Sequence, residues 1–265
     1  MTIGEVRAMT TKEISIGVAG SLIASVLWLL MCLIINKIKN RKKKMLYKRI
    51  KEANVKSFFY DRDVLNSDSG SVGSYINGAT KEVYLIGSWL TSSIKSEHSD
   101  FKETVLKKIE SGVEFYFCFN NLNISVIRNY AMFINAKEKD VIESLYDTYK
   151  YLFEIKRALQ AESKNKIHIY SHNQVLTTAF WAMDISVERR SFYKIDHKVI
   201  KGEISHSYGF EFGDSKKGSL SKNITDGYMY VLNNSKELGD LKELLNESEE
   251  INDSEGHKII LDSFK

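Results

Sequence analysis

The chain has 265 residues, a formal net charge of +4 from 38 basic and 34 acidic side chains, no proline and two cysteines. Two cysteines exclude a disulfide-rich secreted scaffold, and the absence of proline excludes a proline-rich linker. Residues 37–51 hold nine Lys or Arg and no acid, and removing these charges leaves −5 for the rest of the chain. The basic character is therefore local, and we expect a contact with a membrane surface rather than direct DNA binding.

The first predicted element is an apolar run of 22 residues, Ile14–Ile35, without a charged side chain. A helix rises about 1.5 Å per residue, so about 20 such residues cross the roughly 30 Å hydrocarbon core of a bilayer. We predict an extracytoplasmic tail at 1–13 and a transmembrane helix at 14–36. A cleaved signal peptide is disfavoured because the basic cluster follows the apolar run. A buried helix of a soluble protein would rarely be apolar on every face.

The basic cluster sets the predicted orientation. Positive residues stay on the cytoplasmic side of a membrane, so the N-terminus faces out and the rest of the chain faces in. We predict a basic juxtamembrane helix at 37–60 that also contacts anionic lipid head groups. The lipid-contacting residues are predicted to be Arg41, Lys42, Lys43, Lys44, Lys48 and Arg49.

Small residues recur along the predicted transmembrane helix. Gly17, Ser21 and Ser25 repeat at four-residue spacing, which places them on one helix face. Such a face lets two helices approach closely and predicts a homo-oligomer in the bilayer. Small residues are also common in spanning helices that do not associate, and both interpretations stay open.

Residues 61–234 predict a cytoplasmic α/β domain with a mixed sheet, followed by a C-terminal helix and tail at 235–265. Strands at 81–89 and 113–119 flank a helix at 101–111, which Asp100 caps and Gly112 ends. Strand, helix and strand with short joins predict a parallel βαβ unit with a right-handed crossover. Further helices are predicted at 124–136, 140–162 and 235–251, strands at 166–170, 177–185, 191–200 and 227–232, and a turn-rich segment at 209–218.

The order of these elements resembles a single phospholipase D-like domain. The matching features are the strands EVYLIGSW, VEFYFCFNN and KIHIYSH and a later hairpin, over roughly Ser74–Asn246. The resemblance implies a His-x-Lys-x4-Asp signature on the hairpin, in which the His attacks phosphorus and the Lys neutralises the phosphate. It also implies that two motifs meet in one site, so that chains with one motif dimerise.

The most natural placement of this signature is Arg189–Asp196, where an apolar strand runs into an Asp. Asp196 is kept, but Arg189 stands in place of the His and Ser191 in place of the Lys. Arg189 and Arg190 could grip a phosphate or carboxylate through their guanidinium groups. A charge-rich turn is more often a solvated loop.

Two other registers are also incomplete. A register from Asp196 to Glu203 keeps Lys198 but puts an acid in the nucleophile's place. A register from His172 has Gln174 and Ala179 at the other two positions. Attack on phosphorus needs a nucleophile and a cation together, and no register supplies both. We carry over the fold, expect no catalysis, and regard His172 and Asp196 as vestigial catalytic positions.

His168, Tyr170 and His172 alternate along one predicted strand. Two histidines at this spacing, completed by Asp184 or Asp196, could bind a metal. A polar strand edge explains the pattern equally simply, and no HExxH or CxxC motif supports a metal. We predict no metal and no other cofactor.

The layout as a whole resembles the small membrane effectors of bacterial anti-phage systems, including retron-type modules, which harm the host membrane after infection. This resemblance implies a single-pass effector or sensor of the bacterial inner membrane, with its domain in the cytoplasm and a regulatory protein partner. The alternative is a divergent phospholipase D-like phosphodiesterase that acts on lipid or nucleic acid at the membrane through His172 or Asp196.

Overall fold

The computed structural model describes residues 31, 33, 35–50, 52–53, 55–59, 72–90, 92–95, 99–187, 192–197, 208–213 and 219–249. The chain divides into two compact units, Met1–Lys51 and Glu52–Lys265. Nearly all of the predicted transmembrane helix at 14–36 lies outside the described residues. Among the helices that are described, none has both the length and the hydropathy needed to cross a membrane.

The first unit is described as a helix, α1, at residues 31, 33 and 35–50. All of its side chains from 35 to 50 are exposed. The predicted juxtamembrane helix at 37–60 is wrong in its second half, because Val55–Phe59 is a strand, β1, of the second unit. The segment VKSFF combines β-branched and aromatic side chains, which favour a strand once a partner strand is present.

The second unit alternates strands and helices. Its strands are β1, β2 (Glu82–Ile86), β3 (Glu114–Asn120), β4 (Ile167–His172), β5 (Thr178–Met183), β6 (Phe192–His197), β7 (Tyr208–Gly213) and β8 (Lys236–Glu237). Its helices are α2 (Val72–Ile76), α3 (Ser92–Lys95), α4 (Phe101–Glu110), α5 (Ile124–Ile134), α6 (Glu138–Ala158), α7 (Ser219–Asn233) and α8 (Leu241–Glu249), with a 3-10 turn at Ala161–Lys166.

The described strands form one mixed sheet in the order β1-β7-β6-β5-β2-β3-β4-β8. The central strands β2, β3 and β4 are parallel, and Phe115 lies opposite both Val83 and Ile167. All other neighbours are antiparallel, including the hairpin of β5 and β6, in which Phe180 lies opposite Ile195. The predicted α/β class, the parallel βαβ unit and the antiparallel hairpin are confirmed.

The two faces of the sheet carry separate hydrophobic clusters. Side chains alternate along β3, so Phe115 and Phe117 enter one cluster while Cys118 enters the other. The first cluster packs against α2, α3, α4, α5, α6 and α8, and we call this side the helix-rich face. The second packs against α7 through Val231 and Leu232, and we call this side the α7 face. Each fully buried large apolar side chain contributes about 1.5–3 kcal/mol by leaving water.

The predicted stripe of α6 is confirmed on the helix-rich face. Its buried members are Val141, Leu145, Tyr149, Leu152 and Ile155, and Leu159 is buried directly after the helix. The helix ends at Ala158 rather than 162 because a 3-10 turn begins at Ala161. The hydroxyl of Tyr149 donates to the carbonyl of Phe119 at 2.9 Å, which ties α6 to the end of β3.

The predicted ends of the helix at 101–111 have different outcomes. Gly112 is confirmed as the stop, since its φ of 98° is one that glycine adopts readily. Asp100 occupies the N-cap position, but its carboxylate makes no capping hydrogen bond. The hydroxyl of Ser99 accepts from the Phe101 amide at 3.2 Å instead.

Three predictions for the C-terminal third are wrong. The predicted strand at 227–232 belongs to α7, and the turn-rich segment at 209–218 contains strand β7. The predicted helix at 235–251 begins only at Leu241, because Lys236–Glu237 pairs with β4. Leu238, which follows this pairing, is fully buried and its amide donates to the Ile169 carbonyl at 2.8 Å. The predicted short strand near the C-terminus lies outside the described residues.

Candidate functional site

Most of the predicted site residues fall into three groups. Gly17, Ser21 and Ser25, like Arg189 and Arg190, lie outside the described residues. The backbone of Asp196 is part of β6, opposite Ala179 on β5 and Gly209 on β7, and its side chain is not described. The predicted lipid-contacting residues lie on α1, where all of them are exposed: Arg41, Lys42, Lys43, Lys44, Lys48 and Arg49. Lys43 Nζ lies 5.9 Å above the ring of Tyr47.

His172 belongs to a row of polar residues at one edge of the sheet. It ends β4 opposite Asn120, which ends β3, and the Asn120 amide donates to the carbonyl of Ser88 just beyond β2 at 3.2 Å. Thr178 begins the neighbouring antiparallel strand β5. We call Thr178, Ser88, Asn120 and His172 the polar row. In open α/β sheets, ligands bind outside the carboxyl ends of the parallel strands, which is where this row lies.

The His172 ring is held by backbone groups on both sides. Its Nε2 lies 2.9 Å from the Gly87 carbonyl oxygen, which can only accept, so Nε2 carries the proton. Its Nδ1 accepts from the Gln174 amide at 3.2 Å. Burial lowers the pKa of His172 to about 4, against the opposing effect of these two hydrogen bonds. The ring is therefore neutral at pH 7, and neither nitrogen is available to attack phosphorus or to bind a metal.

Ser88 and Asn120 fasten the loop that joins β4 to β5. The Asn120 Nδ2 donates to the Gln174 carbonyl at 2.9 Å, and the Ser88 hydroxyl donates to the Leu176 carbonyl at 3.2 Å. Asn120 is 2% exposed, and its Oδ1 finds no hydrogen-bond partner in the described part of the chain. Three members of the polar row thus fix a loop, and one buried acceptor is left over.

A pocket of about 380 Å³ lies beside this loop, on the α7 face. It is lined by Leu176, Thr178, Asn223, Ile224, Gly227, Tyr228 and Val231. The hydroxyls of Thr178 and Tyr228 are hydrogen-bonded to each other. The Tyr228 ring stacks on Phe180, with centroids 4.4 Å apart and planes 8° from parallel. The pocket thus adjoins the polar row, with which it shares Thr178.

Asp184 follows β5 and organises the opposite edge of the sheet. It is 2% exposed and has a positive φ of 52°. Its carboxylate accepts from the amides of Thr80, Lys81 and Glu82 at 2.7–3.2 Å and from the Thr80 hydroxyl at 2.9 Å. These bonds satisfy the backbone at the start of β2. Asp184 is thus occupied by the protein's own amides rather than free to complete a metal site.

His168 has a different environment from His172. Its Nδ1 lies 2.9 Å from Oε1 of Glu237, and its ring stacks on Tyr116 with centroids 4.8 Å apart. Within the described ranges, no three His, Cys, Asp or Glu side chains come together as a metal site requires. The structure therefore does not bring His168, His172 and Asp184 to one place.

Sequence reasoning missed Ser88, Asn120, Thr178 and the pocket behind them. A signal was present, because polar residues directly follow the buried strands at 81–89 and 113–119. The contribution of α7 was hidden by its prediction as a strand. No protein-family model matches the chain, and no curated protein matches its sequence.

Proposed function

We propose that the chain is a single-pass effector or sensor of the bacterial inner membrane, whose cytoplasmic domain binds rather than catalyses. One observation carries the non-catalytic part of this proposal. His172, the candidate nucleophile of the described residues, is neutral and has both ring nitrogens bonded to backbone groups. An attacking His must present a free nitrogen beside a cation that neutralises the phosphate.

We propose further that the domain is a phospholipase D-like fold without its catalytic pair. The apolar strand β5 runs into Asp184 at a turn, as the strand of the His-x-Lys-x4-Asp signature runs into its Asp. This fourth register puts Thr177 and Ala179 at the positions of the His and the Lys. A β-carbon at Gly87 would lie 3.2 Å from Ala179 Cβ, so the neighbouring strand leaves little room for a longer side chain.

The membrane part of the proposal is supported by the apolar run Ile14–Ile35 and by the exposed basic side chains of α1. Each Lys or Arg near an anionic surface contributes about 1 kcal/mol to membrane binding. We propose that association of the transmembrane helices through Gly17, Ser21 and Ser25 perturbs the membrane, as in anti-phage defence. A protein partner or a small ligand bound to the domain would control this association.

The test is induced expression in bacteria while membrane potential and viability are followed. We expect the wild type to depolarise cells and the Gly17→Leu/Ser21→Leu variant to lose this effect, because leucines separate the helices. A matched control, Ile23→Leu/Val26→Leu, changes the opposite helix face and keeps the effect. His172→Ala and Asp196→Ala also keep it, provided that immunoblots show equal protein levels.

The opposite pattern supports the alternative. Loss of toxicity in His172→Ala or Asp196→Ala, at equal protein level and with the small-residue face dispensable, would establish a phosphodiesterase. Toxicity that needs neither set of residues, or no depolarisation by the wild type, would refute the effector.

A further inference from the structure

The pocket on the α7 face is built as a small-molecule site would be. Its apolar walls come from Leu176 on the β4–β5 loop and from Ile224 and Val231 on α7. Its polar groups are the hydroxyls of Thr178 and Tyr228 and the amide of Asn223. Ligand pockets typically have roughly 300–1,000 Å³ and combine an apolar lining with a few placed polar groups. At about 380 Å³, this pocket is in that range.

The pocket lining contains no charged side chain. A charged ligand group buried there would lose its hydration without gaining a partner of opposite charge, which is strongly unfavourable. A neutral ligand avoids this cost. The two hydroxyls, which already bond to each other, offer a donor and acceptor pair to a single hydroxyl or carbonyl group of a ligand.

Gly227 keeps the helical wall of the pocket open. It lies in the interior of α7, where glycine lowers helix stability relative to alanine. A β-carbon at this position would meet no atom within 4 Å, so neither crowding nor backbone conformation requires a glycine. The stacked pair Tyr228 and Phe180 fixes the neighbouring wall. The missing side chain thus maintains space in the pocket.

We propose that this pocket binds a neutral, mainly apolar small molecule that carries one hydrogen-bonding group. At the packing density of protein interiors, about 0.75, the pocket accommodates a molecule of roughly 280 Å³. This inference deepens the proposed function and rests on it for its biological meaning, since it supplies the sensing domain with a class of ligand. The binding itself is measured independently of any effect on the membrane.

The experiment uses the full chain in lipid nanodiscs, with 4-propylphenol as a neutral probe and 4-propylbenzoate as its anionic counterpart. Thermal unfolding is followed by tryptophan fluorescence. We expect 4-propylphenol at about ten times its Kd to raise the Tm by about 3 °C, and 4-propylbenzoate to give no shift at neutral pH. Uptake of probe by the lipid is the same for all variants, so differences between them report the pocket.

Gly227→Leu fills the pocket and should abolish the shift. Gly227→Ala is the matched control, because it gives the same helix a better helix former, leaves most of the volume open, and should keep the shift. Ile224→Phe fills the pocket from the same wall and replaces Gly227→Leu if that variant does not fold. Thr178→Val should weaken binding about five- to tenfold, because it removes a hydroxyl and keeps the volume.

The proposal is overturned if the wild type shows no shift, if the filled variants shift as the wild type does, or if the anion binds as well as the phenol. The proposed function fails on a different readout, the absence of depolarisation in cells. A wild type that binds 4-propylphenol but never depolarises cells keeps the pocket and loses the effector. Depolarisation without a Tm shift does the reverse.

Discussion

Buried polar residues in this domain complete the hydrogen bonding of backbone segments that are distant in sequence. His172 bonds to the Gly87 carbonyl, and Asp184 bonds to the amides of Lys81 and Glu82. A buried backbone group without a partner costs about 1–3 kcal/mol, so each side chain removes such a cost where a strand starts or ends. The polarity that suggests a reactive site is thus largely used for structure.

The pKa of His172 predicts an acid-sensitive fold. The pKa is about 4 in the folded chain and near its ordinary value of 6.5 when unfolded, so below pH 6.5 the unfolded state binds more protons. Stability is therefore lost as the pH falls from 6.5 towards 4. Between about pH 7.5 and about pH 5, His172 should cost about 2 kcal/mol of unfolding free energy.

Urea unfolding at these two pH values tests this prediction. His172→Gln keeps a side-chain N–H that can donate to Gly87 but does not titrate, so its loss of stability should be smaller by about 2 kcal/mol. All other titratable groups are shared and cancel in the comparison. Equal losses in wild type and variant would show that His172 is not a buried neutral group.

At the scale of elements, two glycines with equal space around them should respond oppositely to alanine. A β-carbon meets no atom within 4 Å at Gly112 or at Gly227, but Gly112 has a φ of 98° and Gly227 is helical. Gly227→Ala should stabilise the domain by about 0.5–1 kcal/mol, and Gly112→Ala should destabilise it by about 1–2 kcal/mol.

Chemical denaturation of the two variants side by side gives both signs. Since each replacement adds the same methyl group to open space, a difference in sign isolates the backbone conformation. If Gly227→Ala were destabilising, α7 would not have the regular helical backbone described for it.

The elements that local patterns predicted well are those in the centre of the sheet. β2, β3 and α6 carry long buried runs or a clear helical stripe, and their identity follows from the sequence. α7 was mistaken for a strand because GYMYVL is a short apolar run, which periodicity cannot assign. Its helical pattern becomes visible only when Ile224, Tyr228 and Val231 are considered together.

The edges of the sheet could not be predicted in the same way. β1 and β7 form strands because they pair with each other, with Phe58 opposite Phe210, and this pairing joins segments about 150 residues apart. β8 has two residues and is defined by its contact with β4. The candidate site suffers from the same difficulty, because its pocket forms only when α7 and the β4–β5 loop come together.

For the whole molecule, charge asymmetry predicts the orientation in the membrane. Green fluorescent protein fused after Lys265 should fluoresce, and alkaline phosphatase fused there should be inactive, because the basic cluster keeps the C-terminal part in the cytoplasm. Replacing six residues by glutamine should raise phosphatase activity several-fold: Arg41, Lys42, Lys43, Lys44, Lys48 and Arg49.

A charge control separates local from global effects. Lys102, Lys107 and Lys108 lie far from the predicted span, so replacing them by glutamine should leave the orientation unchanged. An active phosphatase fusion on the wild-type chain would contradict the predicted topology outright.

The pairing of β1 with β7 also has a consequence for synthesis on the ribosome. Val55 lies opposite Phe212, so the strand made first waits for 157 residues before its partner exists. At about 5–20 residues per second, this delay is roughly 8–30 s. During that time the segment before β1 can enter the bilayer while the sheet is still incomplete. A nascent chain released before residue 208 would expose the edge of β6, an unpaired surface that chaperones and proteases recognise.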